Sequence, residues 1–190
     1  ALRFDLLPLA GRDEALRRLV ADIDRREGRL STGFVGVSHL LPVLSDNGRA
    51  DVAHRLLMQD RFPSWLFSVK HGATTIWERW NGWTPEVGVH PDAGMNSFNH
   101  YSLGSCGQWM FEDLAGIGQE PDAAGFGRIV IRPRVGGTLE WVNAGYESVR
   151  GGITSRWSRA NGRVTMVVSI PANTGATVYI PGADPGVVTE

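Results

Sequence analysis

The helical spacing of apolar residues in this chain disappears beyond Gly118, and that single change of period limits the fold more than any other feature. A chain that reads as helices first and strands afterwards belongs to the α+β class and here divides into more than one domain. Before the switch, residues 13–27 predict a helix, with Leu16, Leu19, Val20 and Ile23 at three-to-four spacing and Gly28 as its stop. A second helix is predicted from about Gly36 to Asp46, with Ser38 as a candidate cap and Gly48 following it. Pro42 lies inside that pattern, so this helix either starts late or bends. A third is expected from about Ala50 to Gln59, a fourth from Ser64 to Lys70 ending at Gly72, and a fifth from about Phe98 to Gly116. In that last helix Gly104 and Gly107 would let another element approach closely.

After the switch, the stretches 127–134, 139–144, 148–157, 163–170 and 176–180 read as five strands. Ala160-Asn161-Gly162 is a hairpin turn, and Ala172-Asn173-Thr174-Gly175 is expected to be another. Turn signals at this spacing argue for an antiparallel β-sandwich. The boundary is placed near residue 120, giving a helical portion over 1–120 and a β-sandwich over 121–190.

Charge excludes some functions. A formal net charge of −1 gives no electrostatic reason to expect nucleic acid or an anionic membrane as partner. Arg17, Arg18, Arg25 and Arg26 are interleaved with Asp22, Asp24 and Glu27, the pattern of a solvated helix face. No apolar run approaches the roughly 18 residues of a membrane-spanning helix. Cys106 is the one cysteine, and the five histidines have no metal-ligand spacing, so neither a metal site nor a cofactor is expected. Phosphate-binding glycine loops and the serine-nucleophile elbow are absent as well. The chain opens on Ala1-Leu2-Arg3-Phe4 without an initiator methionine and reads as a piece of a longer polypeptide.

Tryptophan stands out. Of seven, Trp65, Trp77, Trp80, Trp83 and Trp109 fall within 45 residues, around a Gly/Pro-rich loop at 81–97. Indoles fill cores, but they also stack on the C–H faces of sugar rings. Between two of them sits Glu78, and a carboxylate beside aromatic walls is what a glycosidase sets against an anomeric carbon. From spacing alone, an ion pair with Arg79 or another arginine, or plain solvation, accounts for Glu78 more readily than catalysis does. Asp92, Glu86, Glu112 and Asp113 are weaker candidates, the last two explained by a solvated face late on the fifth helix. His100 is placed to donate to a sugar hydroxyl or to Glu78, or else is a buried structural histidine.

The blocks Thr74-Thr75-Ile76-Trp77-Glu78-Arg79-Trp80-Asn81-Gly82 and Met95-Asn96-Ser97-Phe98-Asn99-His100-Tyr101, the latter running on through Gln108-Trp109-Met110-Phe111, resemble the hallmark of bacterial α-L-rhamnosidases. Leu30-Ser31-Thr32-Gly33-Phe34-Val35-Gly36 and Pro63-Ser64-Trp65 are similar to that family too. The resemblance implies a catalytic toroid of six helical hairpins, here partial, followed by a C-terminal β-sandwich. It implies hydrolysis of terminal α-L-rhamnosyl residues with inversion, with Glu78 as the general base and His100 as a sugar contact. The general acid is then expected in a segment preceding Ala1, so the isolated chain is expected to be inactive. The expected partner is a rhamnose-containing glycoside or oligosaccharide. The apolar faces of the helices at 13–27 and 98–116 would lack toroid neighbours, so a homo-oligomer of the chain is expected. Two other readings use the same residues: a non-catalytic carbohydrate-binding fragment on this scaffold, and a toroid glycosidase acting on a different sugar.

Overall fold

The structure, a computed structural model, describes residues 1–182 and divides into two compact units, Ala1–Gly107 and Gln108 onward. In the first unit four helices follow one another: α1 (Leu9–Arg25), α2 (Phe34–Asp46), α3 (Ala50–Leu57) and α4 (Trp65–Lys70). α2 and α3 pack together through Val37, Leu41 and Leu44 on one and Val52, Ala53 and Leu56 on the other, all inaccessible to solvent. Burying each large apolar side chain of this kind contributes roughly 1.5–3 kcal/mol. Two helices end as the sequence predicts. Gly48 and Gly72 sit at φ 76° and 85°, and the N–H groups of Arg49 and Ala73 reach back to the carbonyls of Leu44 and Ser68. That pattern needs a left-handed residue, which glycine adopts without strain.

α2 starts at Phe34, earlier than its apolar spacing indicates, and runs on through Pro42. Ser38 is therefore inside the helix, and Gly33 occupies the cap position without a side-chain bond. Ser64 caps α4 by accepting the Phe67 N–H at 3.1 Å. The basic residues of α1 pair along its surface, Arg18 with Glu14 at 2.6 Å and Arg26 with Asp22 at 3.0 Å, which is the expected solvated face.

The fifth helix is not continuous. Residues 96–101 are irregular, Ser102–Ser105 is a 3-10 turn, α5 spans only Cys106–Trp109, and a π turn covers Met110–Leu114. Hydrogen bonds outside any helix take up the start of this segment, since the His100 N–H donates to the Ile76 carbonyl at 2.8 Å. The close approach at Gly104 is real: a Cβ there would stand 3.0 Å from Ile76 Cγ1. Nothing comes within 4 Å of the corresponding point on Gly107. The Gly/Pro loop also contains a two-residue hairpin, β1 (Trp83–Thr84) with β2 (Gly88–Val89).

Among its described residues the second unit holds two three-stranded sheets. One is antiparallel throughout, with β5 (Trp141–Ser148), β6 (Gly151–Ala160) and β7 (Arg163–Ser169) as consecutive hairpin strands. The β6–β7 turn has Asn161 and Gly162 at φ 53° and 74°, the conformation that an Asn-Gly pair favours. The other sheet orders β3 (Ile117–Gln119), β4 (Arg128–Ile131) and β8 (Gly175–Val178), and here the antiparallel expectation is corrected: β4 and β8 run parallel. The turn at 172–175 is consequently not a hairpin. It carries the chain from β7 in one sheet to β8 in the other. Ile117, Ile129 and Ile131 from one sheet and Ile153 from the other share one apolar cluster, joined by Ala115. Two buried donors tie β6 to the chain before β3: Trp157 Nε1–H donates to the Leu114 carbonyl at 2.7 Å and the Ser155 hydroxyl to the Ala115 carbonyl at 2.6 Å.

Candidate functional site

Glu78 lies on an irregular stretch between α4 and β1, and a second irregular stretch, 97–100, runs beside it. The two are joined by backbone bonds: the Glu78 N–H donates to the Ser97 carbonyl at 2.9 Å, and the His100 N–H donates to the Ile76 carbonyl at 2.8 Å. The Thr75 hydroxyl adds a bond to the Phe98 carbonyl. Residues 19 to 24 positions apart in sequence thereby come to sit on adjoining backbones.

The Glu78 side chain is half-buried, and its Oε2 accepts the Ser97 N–H at 2.8 Å. Oε1 has no protein partner among the described residues. An ion pair with Arg79, the competing account of Glu78, is not what forms. Arg79 turns instead to His90, with Nη1 lying 2.9 Å from Nδ1, and to Asp92, 3.8 Å away. Glu78 lines a cleft of about 350 Å³ together with Gly33, Phe34, Arg79, Trp80 and Met95. One carboxylate oxygen is thus held by a backbone donor while the other is left to accept a proton or hydrogen-bond a ligand.

The five clustered tryptophans separate by role. Trp65, Trp77 and Trp109 are buried and belong to cores. Trp80 and Trp83 are half-buried, and Trp80 forms part of the cleft wall. Its indole N–H donates to the Thr32 carbonyl at 2.9 Å, and its ring meets Trp65 edge-on with centroids 5.6 Å apart. Trp65 is itself fixed by a bond from its indole N–H to the Leu103 carbonyl at 2.7 Å. The sugar-stacking candidate therefore has a rigid mount.

His100 is half-buried, stacked on Phe34 (centroids 5.0 Å, rings 11° apart) and on Tyr101 (5.1 Å, 12°). Its Nδ1 accepts the Ser102 N–H at 3.3 Å, which makes Nε2 the protonated nitrogen of the neutral ring. Nε2 has no protein partner among the described residues, leaving an N–H available as a donor. Phe34 connects the two candidates, since it both lines the Glu78 cleft and stacks on His100. Its only sequence signal is its place in the Leu30–Gly36 block.

The weaker carboxylates lie elsewhere. Asp92 is exposed and accepts the Gly94 N–H at 3.0 Å, Glu86 is exposed on the β1–β2 turn, and Glu112 takes the Gln108 amide at 2.9 Å. Asp113 corrects the solvated-face reading: it is 8% exposed and bound by Arg134. No group of three or more histidine, cysteine or acidic side chains with metal-binding geometry occurs among the described residues. Likewise, no described helix is long and apolar enough to cross a membrane.

Comparison with known proteins matches residues 1–114 to the bacterial alpha-L-rhamnosidase six-hairpin glycosidase domain and residues 116–190 to the bacterial alpha-L-rhamnosidase C-terminal domain. An alpha-L-rhamnosidase of Streptomyces avermitilis is 46% identical over 97% of this chain, and one of Formosa agariphila is 38% identical over 95%. The chain covers only 18% and 19% of those two proteins. Among solved structures, the S. avermitilis alpha-L-rhamnosidase complexed with L-rhamnose superposes with a TM-score of 0.91 at 45% identity, over 97% of this chain and 18% of that one. The Aspergillus terreus alpha-L-rhamnosidase superposes with a TM-score of 0.89 at 36% identity, over 96% of this chain and 21% of that one.

Proposed function

The chain belongs to the bacterial α-L-rhamnosidase family, and on that footing we propose that it supplies the general base of an inverting hydrolysis of terminal α-L-rhamnosyl residues. Glu78 is the base and His100 a sugar contact. The observation that carries this reading is the state of the Glu78 carboxylate: it faces a cleft walled by Trp80, one oxygen is fixed by the Ser97 N–H, and the other has no protein partner.

In the reaction, Glu78 takes a proton from a water on the sugar face opposite the leaving group. The water oxygen bonds to the anomeric carbon as the glycosidic bond breaks, and the departing oxygen takes a proton from a general acid. Inverting enzymes hold their two carboxyl groups roughly 6.5–9.5 Å apart to leave room for that water. We assign the acid to residues outside this chain. The first unit is then part of a toroid of helical hairpins, and the two sheets of the second are a β-sandwich. The Nε2–H of His100 donates to a sugar hydroxyl, and Trp80 offers an indole face to the ring.

The test uses the complete natural polypeptide that carries these residues. Glu78→Gln keeps the shape and removes the basicity, so kcat should fall by about 10²–10⁴ while rhamnose binding survives. Near-normal turnover would remove Glu78 from the chemistry. Residues 1–190 expressed alone should not turn over rhamnosides, and turnover by that piece would require an acid within it.

A further inference from the structure

We propose that Asn96 is a positioning residue for Glu78: by clamping the two ends of the Gly/Pro loop together it sets where the Ser97 N–H holds the carboxylate. The inference rests on the reading of Glu78 as the base. The loop departs at Gly82 and returns at Asn96. Asn96 Nδ2–H donates to the Gly82 carbonyl at 3.1 Å, and the same carbonyl accepts the His90 N–H at 2.9 Å. One residue further on, the Ser97 N–H donates to Glu78 Oε2 at 2.8 Å while the Ser97 carbonyl accepts the Glu78 N–H at 2.9 Å. The clamp and the carboxylate's donor therefore sit on consecutive residues, and moving one moves the other.

A second observation shows that Asn96 is not there as a comfortable space-filler. Its Oδ1 is buried and has no hydrogen-bond partner among the described residues. An orphaned buried oxygen costs free energy, and a residue serving only to pack would be replaced by an apolar one at a gain. The orphan oxygen lies 2.8 Å from the point where a Cβ on Gly82 would stand. Gly82 is itself buried, so a Cβ there would make the Asn96 amide shift and so disturb its bond to the carbonyl. Asn96 and Gly82 are thus two halves of one device, and each can be disturbed without touching Glu78.

The experiment is a cycle in the complete natural polypeptide, measuring hydrolysis of an activated aryl α-L-rhamnoside. Asn96→Ala and, separately, Gly82→Ala should each lower kcat about tenfold, the order of one misplaced hydrogen bond, with KM essentially unchanged. In a Glu78→Ala background, which has no carboxylate left to position, Asn96→Ala should cause no further loss. Thermal melting identifies folded variants, and Gly82→Ala carries the test if Asn96→Ala does not fold. An equal loss in both backgrounds, or a rise in KM at constant kcat, overturns the proposal. A normal loss for Glu78→Gln with no effect of Asn96→Ala sinks this inference alone. Near-normal turnover of Glu78→Gln sinks the base assignment and this inference with it.

Discussion

Gly116 joins the π turn to β3 at φ 73°, and it is the position in the second unit where substitution should cost most for the atoms added. A Cβ there would lie 2.7 Å from the backbone nitrogen of Arg132, and closer still to Arg132 C and Pro133 N, inside the 3.0 Å that real Cβ atoms essentially never breach. All three atoms are backbone, so no side chain can swing aside. The Gly116 carbonyl also accepts the Arg132 N–H at 2.8 Å, next to the Ile117–Ile131 pair that starts the β3–β4 register. For Gly116→Ala, the left-handed conformation costs about 1–2 kcal/mol for an L residue. Forcing the two segments apart adds about 1–3 kcal/mol. The sum, about 2–5 kcal/mol, is a large share of the roughly 5–15 kcal/mol that holds a domain together. Gly162 is the control in the same unit, with φ 74° and open space around its Cβ position, so Gly162→Ala should cost only the conformational part. Urea titration of the 190-residue chain, followed by amide exchange of peptides from β6, should place the Gly116→Ala midpoint about 1 M below that of Gly162→Ala. Equal midpoints would refute the backbone-clash argument.

Three further outcomes are expected. Trp157→Phe keeps most of a side chain that is 2% exposed but strands the Leu114 carbonyl, so the second unit should lose about 1–3 kcal/mol by the same exchange measurement. Burial pushes the Cys106 thiol from 9.0 up to about 11, which favours its protonated form in the folded chain. That contribution is fully present below pH 9 and is lost as pH rises toward 11; Cys106→Ala should flatten stability across that window, and thiol-reagent labelling of the folded chain at pH 8 should be slow. Exposed Leu6, Leu9 and Val35 should drive self-association of residues 1–190, so light scattering should report a dimer or larger species, and a stable monomer removes the expectation.

The helices α1 to α4 were legible because each carries a local signal. Their apolar residues recur at helical spacing, and Gly48 and Gly72 stand where the chain must turn left-handed. The break at 98–116 was not legible, because spacing alone cannot show that the His100 N–H bonds to Ile76 rather than continuing a helix. The parallel β4–β8 pair was hidden for a related reason: Ala172–Gly175 reads as a tight turn whichever sheet the next strand joins. Asp113 looked solvated because its partner, Arg134, is 21 positions away. Within the candidate site, Glu78 and Trp80 were visible as neighbours in sequence. The donor that holds the carboxylate was not, since the Ser97 N–H is a backbone group and leaves no mark in residue type.

The role proposed for Glu78 is to deliver a water to the face of the sugar opposite the leaving group. It is tested most directly with Glu78→Ala in the complete natural polypeptide, supplied with azide and an activated aryl α-L-rhamnoside. Removing the carboxylate opens space on that face for a small anion that needs no base. Azide should then restore turnover, and the product should be rhamnosyl azide of inverted configuration. A rhamnosyl azide of retained configuration would contradict that role, because azide would then have displaced a covalent rhamnosyl-enzyme intermediate from the leaving-group face, the behaviour of the acid/base residue of a retaining enzyme.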